Sequence, residues 1–119
     1  MFVYADNAAT TAMSKAAIDA MTPAMHQLYG NPSSLHQKGR EANYALMDAR
    51  ETVARCLNAQ PREIYFTGCG TESDNWAITE GARLGAEQGE RHIISDPIEH
   101  HAVLHTLAKL EKQGFEVTY

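Results

Sequence analysis

Residues 63–73 read Glu63-Ile64-Tyr65-Phe66-Thr67-Gly68-Cys69-Gly70-Thr71-Glu72-Ser73. Ile64 to Thr67 are β-branched or aromatic, and Glu63–Thr67 predicts a short buried strand. Gly68 and Gly70 break that run, and a helix is expected over 72–87. Within it Ala77, Gly81 and Gly85 recur every four residues. They form a smooth stripe suited to close packing on a sheet. A strand that turns through glycines into a helix is the beginning of a crossover unit.

The pattern continues downstream. His92–Ser95 predicts a second strand, residues 102–113 a helix with Val103, Leu104, Leu107 and Leu110 inward, and Phe115–Tyr119 a third strand. Strand, helix, strand, helix, strand implies parallel strands joined by right-handed crossovers, an α/β fold. Upstream the character differs. Residues 1–12 are turn-rich. A helix is expected over 14–29, capped by Ser14 and kinked by Pro23, with Ile18, Met21, Met25 and Leu28 on one face. Gly30-Asn31-Pro32-Ser33-Ser34 is a loop. A second helix over 40–58 lines up Ala42, Ala45, Leu46, Ala49, Val53, Cys56 and Leu57 as its buried face. Two parts are expected: residues 1–60, an N-terminal arm with helices, and residues 61–119, a βαβαβ segment. A three-stranded parallel sheet leaves its edges open, so the sequence reads as the opening of a larger α/β domain.

Composition narrows the function classes. The 119 residues are 44% hydrophobic and 21% charged, an ordinary globular balance. The net charge of -5, with no basic block, argues against a nucleic-acid surface. No run approaches the ~20 apolar residues of a membrane span. The start, Met1-Phe2-Val3-Tyr4, lacks the basic and apolar regions of a secretory signal. Two cysteines make no disulfide framework, and a reducing cytoplasm is expected.

Two loops lie where ligands bind in open α/β sheets, at the carboxyl ends of strands. In Gly68–Ser73 the glycines let backbone amides approach a phosphate, and a helix N-terminus favours its charge. Thr71 and Ser73 offer hydroxyls. The alternative is a tight turn capped by Thr71, with Asp74 completing a capping box. In Asp96-Pro97-Ile98-Glu99-His100-His101, a histidine can stack on an aromatic cofactor or transfer protons. The alternative is a solvated helix start. His101 and His105 share a helix face, but no second ligand cluster accompanies them, so no metal is expected. Cys69 at a helix N-terminus reads as a nucleophile or as a small loop residue. Asn31, Ser33, Ser34 and His36 form a polar loop that reaches a ligand or simply turns. A dinucleotide fold fails because Ser73 stands at the third glycine, and a P-loop fails because no lysine follows.

Taken together, four segments are more specific than any one of them. They are Asp6-Asn7-Ala8-Ala9-Thr10-Thr11, Gly30-Asn31-Pro32-Ser33-Ser34-Leu35-His36, Phe66–Asn75 and Glu99-His100-His101-Ala102-Val103-Leu104. In this order they resemble the N-terminal part of a cysteine desulfurase of the NifS/IscS-like kind. That family lies in the class V aminotransferase group of pyridoxal-phosphate enzymes. The resemblance implies a homodimer with the aspartate-aminotransferase-like fold, fold type I, several-fold longer than this chain. Residues 61–119 are then a truncated part of its cofactor-binding large domain.

The implied cofactor is pyridoxal 5'-phosphate and the implied substrate is L-cysteine. The products are L-alanine and a persulfide on an enzyme cysteine, which passes sulfur to an acceptor protein for iron–sulfur cluster assembly or thiolation. By the same resemblance Gly70 and Thr71 match the phosphate-binding turn. His100 matches the histidine that stacks on the pyridine ring and helps proton transfer. Asn31 matches the motif near the substrate. The family usually has Ser-Gly where this chain has Gly68-Cys69, which removes one hydroxyl beside the phosphate. Cys69 does not match the persulfide cysteine. The cofactor lysine and that cysteine are expected beyond Tyr119, and the 119 residues alone are expected to be inactive. A selenocysteine lyase, another class V aminotransferase and a non-catalytic truncated binding subunit are the alternatives.

Overall fold

The computed structural model describes residues 1–119, which divide into two units, Met1–Ile64 and Tyr65–Tyr119. In the first, helix α1 spans Lys15–Gln27, and the Ser14 hydroxyl accepts the Ala17 N–H at 3.2 Å, the expected cap. The helix continues through Pro23 as one element, and none of its residues is buried. Helix α2, Gln37–Cys56, starts earlier than the pattern suggested, because the His36 ring caps it by accepting the Gly39 N–H at 3.3 Å. Gly39 is buried under the preceding loop. A Cβ there would collide with the carbonyl oxygens of Ser34 and Asn31, so only glycine lets the helix approach the loop this closely.

The buried face of α2 is narrower than its sequence predicts. Gly39, Ala42 and Ala54 are buried, whereas Leu46, Ala49, Cys56 and Leu57 are exposed. Cys56, expected in the core, is a free exposed thiol at the last turn.

The strand expected at Glu63–Thr67 is absent. Pro61–Glu63 form a 3-10 turn, closed as the Glu63 carboxylate accepts the Gln60 N–H at 2.7 Å. Beyond it Ile64 is extended, but its carbonyl accepts from the Arg50 guanidinium instead of a ladder partner. A strand exists only when a neighbour takes its backbone groups, and the single sheet here pairs two other segments.

Those segments belong to the second unit. Its elements are α3 (Gly70–Glu87), β1 (His92–Ile94), α4 (His101–Glu111) and β2 (Glu116–Thr118). β1 and β2 are parallel, with His92 opposite Glu116 and Ile94 opposite Thr118. The βαβ part of the expected topology is therefore present, and the α/β class holds. Gly89 and Gly114 follow the two helices at φ +85° and +89°, left-handed values that end each helix and release the chain into the next strand. The core is formed by α3 packed on α4, with Ala82, Ala102, Thr106, Leu107 and Leu110 buried. The Ala77, Gly81 and Gly85 stripe is not closed by a sheet. It lines an open groove of about 300 Å³ beside Ile93 and Phe115.

Gly39→Ala should therefore destabilise the protein by about 1–3 kcal/mol through forced displacement of the 31–34 loop. A lowered urea midpoint with unchanged slope is the expected reading, and an unchanged midpoint would show that the loop gives way freely.

Candidate functional site

Helix α3 begins at Gly70 with Cys69 as its N-cap, earlier than the sequence suggested. The capping box between Thr71 and Asp74, the alternative reading of this loop, is not formed. Instead the Gly68 N–H donates to Glu72 Oε2 at 2.7 Å, and the Thr67 and Ser73 hydroxyls pair at 2.6 Å. Thr67 also donates to the Cys69 carbonyl at 3.1 Å. Ser73, whose hydroxyl the sequence offered as a further donor, is thus spent on the shape of its own loop.

This arrangement leaves a particular set of donors. A helix starts with amides that have no intrahelical acceptor. In α1, α2 and α4 a side chain of the N-cap residue takes one of them: Ser14, His36 and His100. Cys69 takes none in α3. The N–H groups of Gly70, Thr71 and Glu72 and the Thr71 hydroxyl therefore remain available, at the positive end of an 18-residue helix. An ideal Cβ on Gly70 would meet no atom within 4 Å, so packing does not require glycine there. The absent side chain keeps the approach to the amides clear. This donor set fits a phosphate group.

The second loop ends at His100, the N-cap of α4. Its Nδ1 accepts the Ala102 N–H at 3.1 Å. An accepting Nδ1 places the proton of the neutral ring on Nε2, which has no partner in the chain. His100 is exposed, and its ring centroid lies 6.1 Å from that of His101. His101 and His105 meet edge to face at 5.5 Å. No group of three or more metal-ligating side chains gathers there or elsewhere.

The two loops are tied together by a residue that sequence reasoning passed over. Asn75 Nδ2 donates to the Thr71 carbonyl at 2.8 Å and to the Ala102 carbonyl at 3.4 Å. Its Oδ1 accepts from the buried Thr106 hydroxyl at 2.6 Å. The signal was present in the sequence as a lone hydroxyl residue, Thr106, on the apolar face of α4.

Asn31 belongs to the first unit. Its Oδ1 accepts the Ser33 N–H at 2.9 Å and its carbonyl the Ser34 N–H at 2.9 Å, the turn its sequence suggested. Asn31 is exposed, and its Nδ2 has no partner in the chain. Nearby, Lys38 donates to Glu41 at 2.8 Å. That hydrogen bond raises the Lys38 ammonium and, with one from Gln37, lowers the Glu41 carboxyl.

A protein family described as Aminotransferase class-V matches residues 3–119. The chain belongs to this family. A cysteine desulfurase IscS from Methanosarcina thermophila is 53% identical over 117 residues, covering 98% of this chain and 29% of that protein. The chain thus spans less than a third of the length of the curated relatives it matches. Among solved structures, a NifS-like protein superposes with a TM-score of 0.90 at 45% identity, over 100% of this chain and 32% of its own. A structure of SspA in complex with cysteine gives 0.82 at 40% identity, over 94% and 32%. The resemblance to cysteine desulfurases and the fold type I assignment both hold.

Gly70→Ala should cost no stability in this protein and should add up to about 1 kcal/mol, since alanine is the better helix former. Chemical denaturation decides this, and a clear loss of stability would mean that the glycine serves packing after all.

Proposed function

We propose that this chain is part of a pyridoxal-phosphate-dependent cysteine desulfurase, which converts L-cysteine to L-alanine and leaves the sulfur on an enzyme cysteine as a persulfide. The observation that carries this reading is the uncapped N-terminus of α3, with three open amides and the Thr71 hydroxyl, in a chain 53% identical to a cysteine desulfurase. Residues 1–60 are read as the N-terminal arm and residues 61–119 as part of the cofactor-binding domain. The whole enzyme is read as a cytoplasmic homodimer that hands sulfur to an acceptor protein.

When bound, the cofactor supplies an electron sink for the substrate carbon that carries the amino group. The chain's own residues bind and orient it. Gly70 and Thr71 hold the phosphate by N–H and O–H donation, and the α3 dipole favours its charge. His100 is held by its bond to Ala102, so the neutral ring presents Nε2–H as a hydrogen-bond donor; taking a proton requires that bond to open, because the ring's one lone pair is on Nδ1. Asn31 is read as a substrate-side residue, with Nδ2 as a donor suited to a carboxylate.

None of the chain's four lysines is read as the cofactor lysine. Lys15 pairs with Asp19 at 2.6 Å and Lys38 with Glu41 at 2.8 Å. Lys109 and Lys112 lie toward the far end of α4, roughly 13 Å or more along the axis from His100. A polypeptide of residues 1–119 alone should accordingly release no sulfide from L-cysteine when given pyridoxal phosphate and a thiol reductant. Sustained sulfide release would overturn this.

In the full-length enzyme, Thr71→Ala should lower cofactor affinity about ten-fold, the worth of a hydrogen bond to a charged group, read by the absorbance of bound cofactor after dialysis. His100→Ala should slow alanine formation about a hundred-fold at saturating cofactor, as loss of a proton-transfer group does. Normal occupancy and normal turnover in both variants would remove the site from these loops.

A further inference from the structure

We infer that Asn75, locked by Thr106, is a positioning residue for phosphate recognition, acting through Thr71. The inference rests on the reading of Gly70 and Thr71 as the phosphate turn. Asn75 touches neither the open amides nor the Thr71 hydroxyl. It holds what carries them. Its Nδ2 donates to the Thr71 carbonyl at 2.8 Å, and that carbonyl shares a peptide unit with the Glu72 N–H. Donation to the carbonyl polarises the peptide and strengthens the N–H as a donor to an anion. The same nitrogen reaches the Ala102 carbonyl at 3.4 Å, in the first turn of α4, next to the His100 cap. One amide group therefore sets the phosphate turn and the histidine turn at a fixed separation.

The amide works in only one orientation. Both neighbours of Nδ2 are carbonyl oxygens, which accept and never donate. Thr106 enforces this orientation from the other side, since its hydroxyl donates to Asn75 Oδ1 at 2.6 Å. That hydroxyl is also 2.8 Å from the Ala102 carbonyl, so a single proton is shared between the two acceptors. Thr106 is buried, at 4% exposure, on a helix face otherwise made of Ala102, Leu107 and Leu110. A hydroxyl in such a place costs free energy unless it is bonded. Packing alone would be served by valine, which has the same shape. An aspartate at position 75 would be as large as asparagine but would set a carboxylate against two carbonyl oxygens.

The test compares pyridoxal 5'-phosphate with pyridoxal in the full-length apoenzyme. The two share ring and aldehyde and differ only in the phosphate, so the ratio of their affinities isolates phosphate recognition. Titrations followed by the fluorescence of Trp76, or by ligand absorbance, give that ratio for wild type, Thr71→Ala, Asn75→Asp, Thr106→Val and Thr106→Ser. The ratio should fall about five- to ten-fold in Asn75→Asp and Thr106→Val, the worth of one hydrogen bond. Thr106→Ser keeps the hydroxyl and should match wild type. If Asn75→Asp does not fold, Thr106→Val, matched in volume, decides the matter. A normal ratio in Thr106→Val beside a reduced one in Thr71→Ala overturns the positioning role while leaving the phosphate site intact. An equal loss of affinity for both ligands marks a merely structural role and overturns it too. A wild type that does not prefer the phosphate form, or a Thr71→Ala variant with a normal ratio, overturns the phosphate reading and this inference with it.

Discussion

Two parallel strands cannot be joined by a hairpin, and that constraint shapes the second unit. β1 and β2 pair in register from His92 to Ile94, so the chain between them must leave one end of the ladder and return to the other. Helix α4 makes that return. Its N-terminus is therefore placed just beyond the carboxyl end of β1, and the loop from Ser95 to His100 is the only chain available to reach it. His100 stands at the helix start because the crossover begins there. Its capping bond to Ala102 then converts a mobile side chain into one with a defined ring orientation.

The helix starts divide the labour of the molecule. Three of the four α-helices satisfy a first-turn amide with the side chain of their cap residue. A side-chain cap is worth about 1 kcal/mol, and α3 forgoes it by carrying a cysteine at that place. The loop does not go without an anion, however. Glu72 bends back onto the Gly68 N–H, one residue before the cap. Its carboxylate fixes the loop from the first turn of α3 and leaves the amides of residues 70–72 open. Shape and recognition are thus assigned to different donors in one short segment. A phosphate bound there as proposed would meet donors already aligned, with no side-chain cap to displace.

Much of this was legible in the sequence because it depends on local rules. The Ser14 cap, the two later strands, the α4 periodicity and the glycine-bounded loop all follow from spacing and turn chemistry within a few residues. Motif order did the rest, since four loops in one sequence carry more information than any of them separately. What escaped was non-local. Ile64 to Thr67 have strand-like residues, yet a strand needs a neighbour, and here the Ile64 carbonyl is taken by Arg50. Cys56 has the right helical phase for burial, but phase says only which face it shares, and in the last turn of α2 burial falls on Ala54 and leaves Cys56 exposed. The start of α3 was misplaced because Thr71 is a good cap by type, whereas the loop closes through Glu72 and Gly68.

Asn75 and Thr106 show why the site itself was only half visible. They are 31 residues apart and belong to different helices, so no window on the sequence contains both. Each is unremarkable by itself: asparagine in a first turn usually bonds its own backbone, and threonine on an apolar face is tolerated when it bonds back to its own helix. Both do those things here, toward Thr71 and Ala102 respectively. Their mutual bond is what changes the meaning. Two local back-bonds become one connection between the turn suited to an anion and the turn that aims the histidine.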